Sequence, residues 1–126
     1  MRLLADANWL IRLEREILRR KIGPAARLFE SQRIHVNTVS LAEFLSRGVT
    51  PLRARILGAT VQLAPISYRH ATKAAQLRYR QSRAGRSLSL PDALMAASAI
   101  GNRMRLLTAD KDFSGIPGLD WSAYRT

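Results

Sequence analysis

The sequence predicts an α/β domain: a mostly parallel sheet with helices on both faces. Three observations predict it. Short apolar runs alternate with helical patterns along the chain, the mark of βαβ units. The 126 residues suit one domain, and 47% of them are hydrophobic, enough for a core. No internal repeat, low-complexity tract or linker interrupts the chain, so one domain over 1–126 is expected.

The elements follow in order. Arg2 to Ala5 is a short apolar strand ending at Asp6. A helix starts near Asn8, and its pattern continues from Glu14 to Lys21 with mixed charges, which reads as a solvated face. Gly23-Pro24 punctuates the chain, and Pro24 suits the first position of a helix over 25–31. Ile34 to Asn37 is a second strand. Ser40-Leu41-Ala42-Glu43 matches a capping box, so a helix is expected from there to Arg47, stopped by Gly48. Thr50-Pro51 starts a helix to Leu57 that Gly58 stops. Val61 to Ile66 is a third strand. Ser67 caps a helix from Tyr68 to Arg83, stopped by Gly85, and Ser89-Leu90-Pro91 starts the next, Asp92 to Ile100. Arg105 to Thr108 is a fourth strand, and Gly118 to Trp121 forms a short fifth.

Charge narrows the function. There are 21 Lys+Arg against 9 Asp+Glu, a net charge of +12. Eighteen of the bases are Arg, and no acid occurs from Phe44 to Pro91. Arg suits bidentate phosphate contact, so RNA or DNA is the first expected partner, an acidic protein tail the second and a membrane surface the third. With no cysteine, disulfide scaffolds and cysteine nucleophiles are excluded, and two histidines cannot build a Cys/His zinc site. No G-x-S-x-G turn is present. The longest nearly apolar run, Ala93 to Ile100, is too short to cross a membrane, and Asp6 stands where a signal peptide needs an apolar stretch. A cytoplasmic protein is expected.

In sheets of this kind, ligands sit outside the carboxyl ends of the strands. Five of the nine acids fall on that predicted edge. Asp6 follows the first strand, Glu43 and Asp92 lie in first helical turns, and Asp110 and Asp112 follow the fourth strand. Each has a local alternative: Glu43 as the partner of Ser40, Asp92 as a complement to its helix dipole, Asp110 and Asp112 as turn formers. Asp6 resists such a reading, because a carboxylate directly after an apolar strand risks burial without a partner. Converging carboxylates repel unless a cation lies among them, and all-oxygen ligands select magnesium or manganese. Such an ion activates water and stabilises charge on a phosphodiester. The other four acids, Glu14, Glu16, Glu30 and Asp120, are expected on helix surfaces or near the chain end.

These residues resemble a known family. Leu4-Ala5-Asp6-Ala7-Asn8-Trp9-Leu10-Ile11 is similar to the opening of a PIN domain, and Val39-Ser40-Leu41-Ala42-Glu43-Phe44 to its second motif. The run from Leu90 to Ala99 is similar to its Asp-Ala-x-x-Ala-Ala helix, and Leu106 to Phe113 to its fourth motif. The single-domain length further resembles VapC-type toxins of toxin–antitoxin pairs. The resemblance implies a three-layer α/β/α fold with five strands in the order 3-2-1-4-5, and a magnesium- or manganese-dependent endoribonuclease. It implies Asp6 and Asp92 as main metal ligands, Glu43 completing the pocket, Asp110 as fourth acid with Asp112 the weaker candidate, and Asn8 and Thr108 orienting the pocket. Products with a 5′-phosphate and a 3′-hydroxyl, a homodimer and silencing by a small cognate antitoxin are also implied. Ala7 departs from the family's usual Thr or Ser, so tuned activity is expected. The alternative is a PIN fold that binds RNA or protein without cutting. A receiver-like switch would want paired acids at the first strand and a Lys after the last, and neither is present.

Arg69, Lys73, Arg78, Arg80, Arg83 and Arg86 form the candidate surface for RNA or antitoxin, or else a solvated helix face backed by Ala71, Ala74, Ala75 and Leu77. His35 and His70 read as structural or surface residues, and Trp9 and Trp121 as core or dimer contacts.

Overall fold

The computed structural model describes residues 2–122. Its elements are β1 (Leu3–Ala5), α1 (Ala7–Leu18), α2 (Pro24–Ser31), β2 (Ile34–Val36), α3 (Thr38–Leu45), α4 (Pro51–Thr60), β3 (Val61–Leu63), α5 (Tyr68–Arg83), α6 (Leu90–Gly101), β4 (Arg105–Leu107), a 3-10 helix (Lys111–Gly115) and β5 (Trp121–Ser122). The five strands form one sheet in the order β3-β2-β1-β4-β5 with every pairing parallel, as expected.

The strands are short, yet β1 has no exposed side chain. Successive side chains point to opposite faces of a strand, and β1 uses both. Leu4 joins a core with Ala74, Leu77, Ala93, Ala96 and Leu106 beneath α5 and α6. Leu3 and Ala5 join Trp9, Leu10, Ile34 and Phe44 on the other face. Two cores on one sheet make the three-layer fold. Each fully buried Leu contributes roughly 1.5–3 kcal/mol from area removed from water. Trp9 lies wholly in the second of these cores, and Trp121 packs partly buried against the first, beneath α5 and α6.

Several boundaries differ from the expectation. The helix after β2 begins at Thr38 instead of Ser40. Its N-cap is Asn37, whose Oδ1 accepts from the Ser40 amide at 2.9 Å while Ser40 Oγ accepts from the Asn37 amide at 3.1 Å. The capping box is therefore Asn37 with Ser40, and Glu43 moves to the second turn without a capping role. Helix α4 runs through Gly58 to Thr60, since an interior glycine costs only about 1 kcal/mol. Strand β3 stops at Leu63, where pairing with β2 ends. Strand β5 is Trp121–Ser122, because Gly118 turns the chain at φ +79°.

Packing corrects two more expectations and decides a third. Glu16 is buried rather than on a solvated face. Ala71 and Ala75 are exposed, and α5 buries His70, Ala74, Leu77 and Gln81. Both histidines are buried and hydrogen-bonded: His35 Nδ1 lies 3.3 Å from the Leu3 carbonyl, and His70 Nδ1 accepts from the Ser67 amide at 3.0 Å.

Candidate active site

The carboxyl edge of the sheet carries the acids. The Asp6 amide donates to the Leu107 carbonyl at 3.2 Å, extending the β1–β4 ladder by one bond. This pins the residue where β1 ends. Its side chain then caps α1 by accepting from the Trp9 amide at 2.8 Å, and the Thr108 hydroxyl donates to the same carboxylate. Thr108 is buried and held in turn, its amide bonded to the Ser122 carbonyl and its hydroxyl accepting from the Asp110 amide at 3.0 Å. The end of β4 thus positions both Asp6 and Asp110.

The other acids arrive from separate elements. Asp92 lies half-buried in the first turn of α6, which Ser89 caps and Pro91 opens. Asp110 caps the 3-10 helix and accepts from the Asp112 amide at 2.9 Å. Asp112 is exposed one turn on. Glu43 is on α3 with no hydrogen bond to its carboxylate among the described residues.

Electrostatics joins these groups. Burial raises Asp6 from 3.8 to about 6, and the Glu43 and Asp110 charges add to the rise, against the lowering by Thr108 and Trp9. Burial raises Glu43 as well, helped by Asp92. Burial also raises Asp92, with Asp110 and Asp112 adding, against a hydrogen bond from Ser89. Asp110 therefore acts on both aspartates and Asp112 on Asp92 alone. Asn8 is exposed in the first turn of α1, with no side-chain bond to the acids among the described residues. Ala7 is buried in the core.

The pairing of charges divides the acids. Glu16 pairs with Arg12, Glu14 with Arg53 and Asp120 with Arg105. Among the described residues, none of Asp6, Glu43, Asp92, Asp110 and Asp112 has a basic partner, although the chain carries 21 bases. Five uncompensated carboxylates on one edge offer the oxygen donors that a hard divalent cation takes. Among the described residues, however, no three acidic or histidine side chains gather at metal-binding distance. Mutual repulsion opposes such gathering when nothing positive lies between them.

Asn37 joins this edge without a role assigned from the sequence. It is fully buried at the carboxyl end of β2, and its Nδ2 has no partner among the described residues. Its signal was an asparagine directly after an apolar strand and three residues before a serine.

A five-stranded parallel sheet ordered 3-2-1-4-5, with unpaired acids at its carboxyl edge, defines the class of protein. The family model of the PIN domain matches residues 3–119, and the chain belongs to that family. The fold is similar to that of VapBC2 from Rickettsia felis bound to a promoter DNA fragment, with TM-score 0.79, 18% identity, and 99% of this chain and 100% of that chain covered. It is similar to VapBC-1 from Haemophilus influenzae, with TM-score 0.75, 20% identity and 98% of each chain covered. A toxin–antitoxin complex from Klebsiella pneumoniae is 26% identical at TM-score 0.67 over 93% of this chain and 94% of that chain. No curated protein matches the sequence. Among the described residues, no helix is long and apolar enough to cross a membrane.

Proposed function

We propose that this chain is a metal-dependent endoribonuclease, the toxin of a VapC-type toxin–antitoxin pair. The observation that carries the proposal is the charge division among the described residues: the acids away from the edge include every ion-paired one, and the edge acids have no basic partner although the chain carries a surplus of arginines. Family membership and the likeness to toxin–antitoxin structures support it.

In this reading Asp6 and Asp92 are the main ligands of Mg2+ or Mn2+, and Glu43 and Asp110 complete the acidic set. The ion, when bound, lowers the pKa of a water and stabilises charge on the phosphodiester. The chain's own part is to hold the carboxylates in place. Thr108 and the Trp9 amide fix the Asp6 oxygens, and Ser89 fixes Asp92. Asn37 fixes the start of α3 and with it the position of Glu43. Basic residues on and after α5, Arg69, Lys73, Arg78, Arg80, Arg83 and Arg86, supply contacts for RNA or for an antitoxin. A homodimer in the cytoplasm completes the proposal.

Incubating labelled RNA with the protein in Mg2+ or Mn2+, and again with chelator, tests it. Products only with metal, lost in Asp6→Asn and in Asp92→Asn while the fold survives, are expected. Equal cleavage by these variants would remove the site assignment. A second reading is a PIN fold that binds RNA or protein without cutting. Retention of RNA without metal-dependent products would establish that one instead.

A further inference from the structure

Two clefts open beside the acidic edge, and they share a wall. One, of about 510 Å³, is lined by Gln81, Arg86, Ser87, Lys111, Asp112 and Ser114. The other, of about 530 Å³, is lined by Arg78, Tyr79, Ser82, Arg86, Ser87 and Leu88. Arg86 and Ser87 belong to both. Each volume lies in the range of roughly 300–1,000 Å³ common for small-ligand sites.

The first cleft leads from the acids. Its one acid, Asp112, is close enough to Asp92 to raise its pKa. Moving away from that edge the lining turns basic. Lys111 and Arg86 come first, then Arg78, and no acid lines the second cleft.

Arg86 is held but not consumed. Its Nη1 lies 3.5 Å from the Gly115 carbonyl, at the limit of a hydrogen bond, and the guanidinium keeps most of its five N–H donors free. Gly115 makes room for it, since a Cβ there would collide with that guanidinium. Arg78 is partly committed, donating from Nε to the Leu88 carbonyl at 2.9 Å.

Tyr79 is the second independent feature. It is 65% exposed on the wall of the outer cleft, with the Arg83 guanidinium 6.0 Å from its ring centroid. An exposed ring inside a basic groove is how proteins hold single-stranded nucleic acid, with nucleobases stacked on the aromatic ring and phosphates on the Lys and Arg side chains. The six basic candidates thereby divide. Arg78 and Arg86 line the clefts and Arg83 adjoins Tyr79, whereas Arg69, Lys73 and Arg80 line neither cleft.

We propose that the two clefts form a binding track for single-stranded RNA leading away from the acidic edge, with Arg86 on a phosphate and Tyr79 stacked on a base. This assignment rests on the ribonuclease reading for its direction. The exposed ring favours RNA over an acidic protein tail, which needs cations but no stacking platform.

Fluorescence anisotropy of a fluorescein-labelled, mixed-sequence single-stranded RNA, in chelator, tests the track without cleavage. Tyr79→Ala is expected to weaken binding about tenfold, and Tyr79→Phe to retain it. Arg86→Gln is expected to weaken binding and to reduce the salt slope by about one. Circular dichroism checks that each variant folds. Parental affinity in both Tyr79→Ala and Arg86→Gln overturns the proposal, as does failure of the wild type to bind RNA. Variants that keep RNA but lose a polyglutamate peptide overturn it in favour of a protein tail. A wild type that binds RNA through Tyr79 yet never cleaves keeps the track and removes the nuclease. A wild type that cleaves while both variants bind like the parent does the reverse.

Discussion

Glu16 and Asp6 are both buried carboxylates, 5% and 8% exposed, and their environments drive them in opposite directions. Glu16 reaches from α1 to the start of α2. It accepts from the Ala25 amide at 3.2 Å, the Ala26 amide at 2.9 Å and Arg12 Nε at 3.0 Å. Burial raises its pKa, but these donors and the Arg12 charge more than offset that, and the net shift is down. Among the described residues Asp6 has two donors, no cation and two anionic neighbours, and its pKa climbs to about 6. Burial alone therefore does not mark a functional acid. The difference lies in whether the fold completes the charge itself. Glu16 ties two helices together, whereas Asp6 has no cationic partner among the described residues.

Breaking the Asp6 side of the comparison should have the largest effect. Asp6→Asn is expected to lower metal-dependent RNA cleavage by about 10³-fold, from several kcal/mol of lost charge stabilisation, as read from initial rates on a labelled RNA.

The two acids should also titrate stability with opposite signs. Asp6 has a folded pKa raised above 3.8. Its contribution is fully present below about 3.8 and is lost as pH rises through about 6, a change of about 3 kcal/mol. Glu16 has a folded pKa lowered below 4.5, so its contribution is present above that value and is lost as pH falls. Urea unfolding of the metal-free protein should show the stability of Asp6→Asn, relative to wild type, growing from about pH 4 to about pH 8.

Glu16→Ala should destabilise the fold by about 3 kcal/mol, because it strips a buried ion pair and two helix N-terminal amides of their acceptor. Urea unfolding at neutral pH measures this, and cleavage by the folded fraction should persist. Asn37→Ala should cost about 1 kcal/mol as a lost N-cap, and it sharpens the comparison by loosening α3, which carries Glu43.

The sheet and the edge acids were legible because both depend on local order along the chain. An apolar strand followed by Asp6, or Leu106-Leu107-Thr108 followed by Asp110, places a carboxylate at a strand end whatever the rest does. The role of Glu43 was obscured because two overlapping patterns compete. Ser40-x-x-Glu43 and Asn37-x-x-Ser40 both fit a capping box, and β2 ending at Val36 decides for the second. The burial of Glu16 was not legible at all. It depends on α2 packing its N-terminus onto α1, with Gly23 leaving space that a Cβ would take from the Glu16 carboxylate. The proposed track at Arg86 was legible as a basic segment that includes Arg78, Arg83 and Arg86, but the choice among its six bases was not, since the shape comes from loops distant in sequence.

Among the described residues the edge acids have no basic partner, so a cation from solution should bind there. Thermal unfolding with and without Mn2+, near neutral pH, for wild type and for the Asp6→Asn, Asp92→Asn double variant tests it most directly, because binding to the folded state raises Tm with ligand concentration. Tm should rise with Mn2+ for the wild type and not for the double variant. An equal rise in both, or no rise in either, would contradict it.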